Sequence, residues 1–514
     1  MVIERTKNAS RNIVFGVVLK LYQILVPFAI RTIMIYFMGV EYLGLNSLFT
    51  SILQVLNLTE LGVGSAMVYN MYKPIAENDA KSICALLNLY KLYYRIIGVV
   101  IAVIGIGLTY FIPQLVQGEL PGGLNIYVLY LLNLAATVMS YWLFAYKSAL
   151  FTAHQRIDII SKVTLFTSTL QYMIQIFIIV IMKDYYLFVI VSLAAQVLNN
   201  IVTALLADKY YPDYQPFGKL EKGEVKQINR HIRDLFTAKV GSVVINSVDT
   251  LVISAYLGLT VLAVYQNYYF IMNAIAGFIL VILNAVIAGI GNSLILESNE
   301  KNYSDLKVLT FIICWILCVC CSCFTGMYQP FMQLWVGKEL MLPNQYVFLF
   351  CIYFYLCQLT MIWAVIKDAA GMWHKDRFRP LIGSLFNLFL NFLLVRVIGL
   401  YGIILSTIIS YAFVTMPWLL LNLFRFLYEK PVKRYMIRIL KYMFLTVFSC
   451  YITAVICQWD IWSGISLLVI NGIISFLISN VIQFIFLRQD EEFLQSSNLL
   501  KQIISNKRRT VFHA

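Results

Sequence analysis

The chain has 514 residues, of which 61% are apolar and 12% are charged, and its formal net charge is +14. Soluble domains carry about 25% charged residues, so this composition excludes an ordinary soluble protein and indicates a multi-pass membrane protein. A spanning helix needs about 20 mainly apolar residues. No gap between the apolar runs is long enough for a separate soluble domain.

Fourteen apolar runs are predicted to cross the membrane. The first run follows a polar start and has no small-residue cleavage site, so we interpret it as a retained helix rather than a signal peptide. In chain order the predicted spans are 13–38, 43–69, 92–114, 124–147, 160–182, 186–208, 236–257, 262–293, 307–329, 344–367, 381–398, 400–424, 441–458 and 463–487.

Lys and Arg are concentrated in every second connection between these runs, whereas the opposite connections hold only Lys183 and Lys338. Short loops rich in Lys and Arg face the cytoplasm, so the alternation predicts that both termini are cytoplasmic. Because the basic residues follow the loops and form no compact patch, the net charge does not indicate a nucleic-acid-binding protein.

An internal repeat relates the two halves of the chain. Lys147 and His154 close span four, and Lys367 and His374 close span ten, 220 residues later and at the same spacing of seven. A weaker similarity at nearly the same offset relates spans one and seven. The shift is six helices, an even number, so the halves should share one orientation and be related by an axis along the membrane normal. We expect these four side chains to form a cytoplasmic gate.

The repeat predicts five regions. Between Lys441 and Arg488 the only charged residue is Asp460, in the loop between spans thirteen and fourteen, so these spans are expected to be accessory helices beside a twelve-helix core. The predicted regions are an N-lobe at 1–208, a cytoplasmic linker with an interfacial helix at 209–235, a C-lobe at 236–424, accessory spans at 425–487 and a basic cytoplasmic tail at 488–514.

Several spans carry polar side chains on one helical face. Lys20 and Arg31 are eleven residues apart, which is three turns, so they share a face of span one. Single amides in spans often form interhelical hydrogen bonds, but complete stripes that include charges favour a water-filled cavity. The predicted substrate-binding residues are Lys20, Gln23, Arg31, Asn46, Gln54, Asn57, Asn246, Gln266 and Asn273.

Two carboxylates within spans, Glu60 and Asp249, are predicted to couple transport to an ion. Arg31 and Asp249 lie eight and nine residues before a glycine turn, roughly 12–14 Å below the surface at 1.5 Å per residue. A charge at such depth costs at least ~2.5–3.5 kcal/mol, so it needs a partner or water. The alternative is a purely structural ion pair, Arg31 with Asp249 or Lys20 with Glu60.

The sequence offers no sign of enzyme chemistry. We find no catalytic triad, phosphate-binding loop or paired outer carboxylates, and we expect neither catalytic residues nor a cofactor. Five of the ten cysteines crowd span nine. They are scattered around an apolar helix, so we interpret them as small buried hydrophobic residues rather than as a metal site.

The start of the chain resembles the bacterial polysaccharide transporter family, the Wzx-type oligosaccharide flippases of the multidrug/oligosaccharidyl-lipid/polysaccharide superfamily. The resembling segments are Ile-Arg31-Thr, Gly39-Val-Glu-Tyr-Leu-Gly44-Leu-Asn46 and Glu60-Leu-Gly62-Val-Gly64. The resemblance implies an all-α protein of about fourteen spans, with two six-helix lobes around a cavity and two accessory helices. It also implies alternating access in the bacterial cytoplasmic membrane.

The same resemblance implies an undecaprenyl-diphosphate-linked oligosaccharide as cargo, for capsule, O-antigen or exopolysaccharide synthesis. It implies Na⁺ or H⁺ as coupling ion, membrane lipids as surroundings, a monomer, and a polysaccharide polymerase and chain-length regulator as partners. Three alternatives stay open: a lipid II flippase, a multidrug antiporter of the same superfamily, and a membrane-embedded polysaccharide polymerase. The last usually has a large outer loop, and the longest outer gap here is about 14 residues.

Overall fold

The computed structural model describes residues 5–498, apart from residues 61, 119 and 459–462. Some side chains within the helices also lie outside the description, among them those of Asn246 and His374. The predicted basic tail lies largely outside the described residues. Regular structure in the described part is helical throughout.

The chain forms two compact units, Met1–Gln266 and Asn267–Ala514. The predicted lobe boundaries come from the repeat and stay a prediction. Within the described residues, the first unit contains nine α-helices or parts of α-helices. They are α1 (Arg5–Phe37), α2 (Val40–Leu56), α3 (Val63–Glu77), α4 (Ala80–Leu108), α5 (Ile126–Trp142), α6 (Ser148–Ala153), α7 (Ile157–Phe177), α8 (Tyr185–Tyr210) and most of α9 (Lys222–Leu296).

The second unit begins within α9, nine residues after a break at Gly258. Its further helices are α10 (Asn299–Val336), α11 (Asn344–Ala369), α12 (Trp373–Asp376), α13 (Arg379–Ser410), α14 (Met416–Phe426), α15 (Val432–Cys457) and α16 (Gly464–Leu487).

Helix α9 turns back on itself at Gly258, where φ is 87° and ψ is 174°. Gln266 Nε2 donates to Thr250 Oγ1 at 2.9 Å. In one straight helix these two residues would be about 24 Å apart at 1.5 Å per residue, so the hydrogen bond requires a hairpin. Glycine suits this position because other residues adopt positive φ only at a steric cost.

Helix α13 folds back in the same way at Gly399, where φ is 58°. Asn387 Nδ2 donates to Thr407 Oγ1 at 2.9 Å, and Ser410 Oγ donates to the Gly383 carbonyl at 2.8 Å. These side chains are buried, and their bonds join the two arms inside the apolar layer. Hydropathy alone placed both hairpins, since each arm was predicted as a separate span.

Ten helical stretches of the described chain are long and apolar enough to cross a membrane, and a bent pair raises this to eleven. Two of the ten, Ser247–Leu283 and Arg379–Phe426, contain the hairpins, so each overlaps two of the predicted runs. All fourteen predicted runs have a helical counterpart, so the prediction of an all-α polytopic membrane protein is confirmed.

The second span is broken, which the sequence analysis did not predict. Helix α2 ends at Leu56, a short 3₁₀ turn covers Asn57–Glu60, and α3 begins after Gly62, which has φ 93°. Within an apolar layer an interrupted helix needs side chains that satisfy the freed backbone or line a polar site. The break therefore makes Glu60, the last residue of the 3₁₀ turn, a candidate functional residue.

The predicted linker, 209–235, which includes the start of α9, packs against α4 within the first unit. Asn88 Nδ2 donates to the Gly218 carbonyl at 2.8 Å, and Tyr93 Oη donates to Asn229 Oδ1 at 2.6 Å. Ile228 is buried, while most residues around it are exposed. A helix thus covers the second part of the predicted linker and contacts protein along its buried side, and its location at the membrane surface stays a prediction.

The last accessory helix carries a buried polar column. Asn471, Ser475, Ser479 and Gln483 recur every fourth residue on one face of α16 and are buried. Asn471 Nδ2 donates to the Gly326 carbonyl of α10 at 3.1 Å, and Gln483 Nε2 donates to Trp315 O at 3.3 Å. The absence of charge made α16 look peripheral, but hydrogen bonds and close packing join it to α10.

Substitution of Gly326 tests this packing. A Cβ atom at Gly326 would collide with Ser475 Oγ, so Gly326→Leu should lower the free energy of unfolding by about 1–3 kcal/mol through overpacking. The matched control is Gly107→Leu, because a Cβ atom there meets nothing within 4 Å. Thermal unfolding in detergent should show a lower midpoint for Gly326→Leu only; equal midpoints would contradict the close contact.

Candidate functional site

Arg31 contacts the α9 hairpin inside the first unit. Its Nη1 donates to the backbone carbonyl of Gln266 at 3.4 Å, and the Gln266 side chain binds Thr250 on the opposite arm. Asp249 precedes Thr250 and is buried, with 6% of its surface exposed. Two predicted site residues, Arg31 and Gln266, are therefore in direct contact, and a predicted coupling carboxylate is adjacent to their partner.

The depth predicted for Arg31 agrees with this contact. Arg31 lies eight residues before Gly39, and Thr250 and Gln266 lie eight residues before and after Gly258. At 1.5 Å per residue each is roughly 12 Å from its turn. Polar groups from α1 and both arms of the hairpin thus meet at one level.

A second contact continues the polar surface toward α2. Ser247 Oγ donates to Gln54 Oε1 at 3.2 Å, which joins a residue of the predicted α2 stripe to the first arm of the hairpin. Gln54 is exposed and Ser247 is buried. One residue of the predicted α1 stripe, Arg31, and one of the α2 stripe, Gln54, therefore both contact the α9 hairpin within one unit.

Glu60 is bound by tyrosine hydroxyls. Tyr94 Oη donates to Glu60 Oε1 at 2.5 Å, and Tyr141 Oη donates to Oε2 at 2.6 Å. Tyr141 Oη also lies 3.1 Å from Asn57 Oδ1. No ion pair joins Glu60 to Lys20 among the described residues, so the structural pairing of these two side chains, one of the two alternatives, is not present.

The turns at Gly39 and Gly258 lie at one end of the first unit, called here the Gly258 end. Backbone contacts close this end. A Cβ atom at Gly44 would collide with the backbone of Leu259, so α2 and the hairpin touch through glycine. Gln117 N donates to the Ser254 carbonyl at 3.1 Å, and Ser254 Oγ donates to Leu115 O at 2.6 Å.

Other predicted site residues are not joined to these contacts. Lys20 and Gln23 are exposed on α1, and Asn46 is half-buried on α2. Asn273 is exposed and belongs to the second unit. The side chains of Asn246 and His374 lie outside the described part of the chain. Their roles, like those of the remaining site residues, stay predictions.

The two lysines of the repeat occupy equivalent environments. Lys147 is buried, and its Nζ lies 2.5 Å from Asp208 Oδ1. Lys367 is also buried, and its Nζ lies 2.7 Å from Asp368 and 3.5 Å from Asp376. Each lysine is therefore paired inside its own unit. A buried lysine is costly unless it is paired, which gives the repeat a structural role, and the predicted gate stays a prediction.

His154 packs in an aromatic stack. Its ring lies 4.3 Å from that of Tyr211, centroid to centroid, and Nδ1 donates to the Leu150 carbonyl at 2.8 Å. Burial lowers the pKa of His154 below its ordinary value. The neutral form is thus the one that fits the stack.

A match to a family model over the region just described identifies the family of this chain. Residues 9–288 match the model of a family described as "Polysaccharide biosynthesis protein". The chain belongs to this family. The match covers more than half of the 514 residues and includes Arg31, Glu60, Asp249 and Gln266. The comparison of this chain with curated proteins found no match.

Solved structures with this fold are membrane transporters. The lipid II flippase MurJ in an inward closed conformation has a TM-score of 0.67 and 15% identity, over 93% of this chain and 99% of that chain. An inward-facing multidrug resistance MATE family transporter of the MOP superfamily has a TM-score of 0.62 and 14% identity, over 79% and 97%.

A MOP superfamily transporter from Pyrococcus furiosus has a TM-score of 0.55 and 15% identity, over 82% of this chain and 95% of that chain. At such identities these similarities establish the fold alone. The polysaccharide biosynthesis family member therefore has the architecture of MOP superfamily transporters, and the expected resemblance is confirmed.

Several residues at these contacts were missed by the sequence analysis of this family member. Tyr94 and Tyr141 lie in apolar runs, where a tyrosine is counted as one more hydrophobic residue. Gly44 was noted only as part of a motif, and Asp208 only as the end of a span. Tyr90 and Tyr94, four residues apart, were the available signal, since that spacing places both on one face of α4.

The pH dependence of stability tests the His154 stack. The pKa of His154 is lowered in the folded protein, so this family member should be more stable above the ordinary histidine pKa and lose stability as pH falls through it. His154→Phe keeps an aromatic ring and removes the titration. Thermal unfolding at about pH 8 and about pH 5.5, on either side of that pKa, should show a smaller loss for His154→Phe; an equal loss would contradict the assignment.

Proposed function

We propose that this protein moves undecaprenyl-diphosphate-linked oligosaccharide repeat units from the inner to the outer leaflet of the bacterial cytoplasmic membrane by alternating access. The observation that carries the proposal is the polar contact set around Arg31, Gln266, Thr250 and Gln54, roughly 12 Å below the helix turns. Membership of a polysaccharide biosynthesis family supports a glycan-containing cargo.

The chemistry of this cargo fits the residues of the first unit. A diphosphate must cross about 30 Å of hydrocarbon, and fixed cationic donors lower that barrier. A guanidinium group binds phosphate oxygens through two parallel hydrogen bonds, which assigns Arg31 to the diphosphate. We assign Lys20, exposed three turns away on α1, to the same group. The amides of Gln54, Gln266 and their neighbours would bind sugar hydroxyls.

The closed Gly258 end supplies one gate of such a cycle. By the positive-inside pattern it faces the outside, with both termini in the cytoplasm. Gly44 lets the backbones of α2 and the α9 hairpin touch, and Thr260 Oγ1 donates to Glu41 Oε1 at 3.2 Å nearby.

A lipid II flippase is the second candidate, because the MurJ structure covers 93% of this chain. The two cargoes share a lipid diphosphate and differ in their sugars. A multidrug antiporter is less favoured, since a cationic drug would be repelled by Arg31 and Lys20. Expression in cells depleted of their lipid II flippase separates the first two, because only a lipid II flippase should restore growth.

Substitution of Arg31 tests the cargo assignment. Arg31→Ala should reduce glycan export about 10- to 100-fold, since a hydrogen bond to a charged group contributes about 1.5–3 kcal/mol. Arg31→Lys should rescue poorly, because a point charge replaces a planar fork. Export is measured as surface polysaccharide, normalised to protein in the membrane.

Arg488→Ala is the matched control, because Arg488 is exposed and its loss removes the same charge outside the site. It should export normally. Normal export by a Lys20→Ala, Arg31→Ala double variant would remove both residues from the cargo site.

Neutralising the two carboxylates tests the proposed ion coupling. Glu60 and Asp249 should change charge during the cycle, and a coupling group must bind its ion differently in the two states. Glu60→Gln and Asp249→Asn should each abolish the acceleration of transport by an imposed pH or Na⁺ gradient in vesicles. Full gradient-dependent transport by both variants would exclude these carboxylates.

A paired exchange separates coupling from a structural ion pair. The double variant Arg31→Asp, Asp249→Arg exchanges the two residues and keeps the sum of charges. If the pair were merely structural, this double variant should transport. We expect it to lack transport, because the exchange misplaces both the cargo site and the coupling site.

A further inference from the structure

A chain of hydroxyl groups extends beyond the Glu60 carboxylate. Tyr90 Oη donates to Tyr94 Oη at 2.7 Å, and Tyr94 donates to Glu60. The rings of Tyr90 and Tyr94 lie 4.4 Å apart, and those of Tyr94 and Tyr141 lie 5.3 Å apart. All three phenols are buried. Tyr90, Tyr94 and Glu60, here the tyrosine relay, form one connected row.

The relay has a single direction. A phenol has one proton to donate, and Tyr94 uses its proton on the carboxylate. Tyr94 therefore accepts from Tyr90, as the 2.7 Å distance indicates. Every proton in the row points toward Glu60, which is the arrangement required before a proton moves along a hydrogen-bonded chain.

The far end of the relay borders a cavity. Tyr90 lines a space of about 500 Å³ between α3, α4 and α6. Hydroxyl groups surround it, and a cavity with several polar partners can hold water. A Cβ atom at Gly64 would lie 3.0 Å from Tyr90 Oη, so glycine there leaves the hydroxyl room. The other polar residues lining the cavity are Ser65, Tyr69, Tyr72, Ser148 and Thr152.

We propose that Glu60 is a proton site supplied from this cavity through Tyr90 and Tyr94, and that this proton is the coupling ion of the transport cycle. The second part rests on the proposed function. The cavity adjoins α3 and α6. These helices lie at the connections between predicted spans two and three and between spans four and five, which contain Lys81 and Arg156 and are predicted to be cytoplasmic. The proton therefore exchanges with the cytoplasmic side.

The transfer conserves protons at every step. A hydronium ion in the cavity gives a proton to Tyr90 Oη and becomes water. Tyr90 passes its own proton to Tyr94, and Tyr94 passes its proton to Glu60 Oε1. Glu60 is then neutral, both phenols are again protonated, and the hydroxyl of the acid donates back to Tyr94. Release is the reverse sequence.

The same geometry disfavours Na⁺ at Glu60. Sodium, like other hard cations, needs oxygen lone pairs that point inward. Both carboxylate oxygens already accept phenol protons, at 2.5 and 2.6 Å. A cation would have to displace these donors, whereas a proton needs only the row that exists.

Few other charges face Glu60. The titratable groups against it are the phenols of Tyr94 on α4 and Tyr141 on α5, with Tyr90 behind. Helix α5 contains no charged residue. Arg95, next to Tyr94, is exposed and forms no ion pair with Glu60 in the described structure. Among the described residues, protonation of Glu60 therefore removes a charge that hydroxyl groups stabilise.

A pH-jump experiment on the full-length purified protein, without cargo, tests the relay. Infrared spectroscopy follows the carboxyl band that appears as Glu60 is protonated, and Glu60→Gln identifies that band by removing it. Tyr90→Phe should leave its final amplitude unchanged and slow its appearance on the order of a hundredfold, the scale of loss when a positioned proton carrier is removed. Tyr94→Phe should slow it at least as much.

Tyr93→Phe is the matched control. Tyr93 lies on the same helix and loses an equally short hydrogen bond, to Asn229, but is outside the relay, so the rate should not change. Addition of Na⁺ at constant pH should leave the band unchanged. A wild-type rate in Tyr90→Phe, or displacement of the band by Na⁺, would overturn the proposal. This infrared experiment uses no cargo. If the band behaves as expected while a separate assay shows no glycan transport, the proposed function is refuted and the proton relay is not.

Discussion

The structure depends on one constraint: inside hydrocarbon every polar group must find its partner within the protein. The α13 hairpin meets this constraint through Asn387 and Thr407, and the α10–α16 contact meets it through Asn471. Such contacts are complete and buried, and they hold helices together. In the first unit, by contrast, Arg31 and Glu60 are half-buried and Gln54 is exposed, and Glu60 lies at the break in the second span. That difference separates the structural polar contacts from the candidate site.

The two kinds of buried charge illustrate the same distinction. Lys147 and Lys367 are each held by a carboxylate of their own unit, and this explains why the repeat preserves them as a pair. Glu60 is held by neutral donors, so its charge can be removed without leaving an unpaired cation. An acid in that setting suits the proposed coupling site, and the closed Gly258 end suits the proposed gate.

Much of the fold could be predicted from the sequence because hydropathy and glycine carry local information. Runs of about 20 apolar residues located every span, and Gly258 and Gly399 located turns. The stripes that contain Arg31 in span one and Gln54 in span two were found from helical spacing. The partners of Glu60 could not be found in this way, since they lie on α4 and α5, and tyrosine in an apolar run does not reveal whether its hydroxyl is used. The break after Leu56 depends on those same distant contacts. The column on α16 was readable from its four-residue spacing and was passed over because it has no charge.

The central claim is that this protein moves a diphosphate-linked oligosaccharide through the polar site of the first unit. The most direct measurement uses purified protein in vesicles containing lipid-linked oligosaccharide, with an impermeant glycan-cleaving enzyme outside. A flippase should make most of the inner-leaflet glycan accessible, and faster with an imposed pH gradient. If the accessible fraction stays at the outer-leaflet share with active, folded protein present, while lipid II is moved under the same conditions, the account is contradicted.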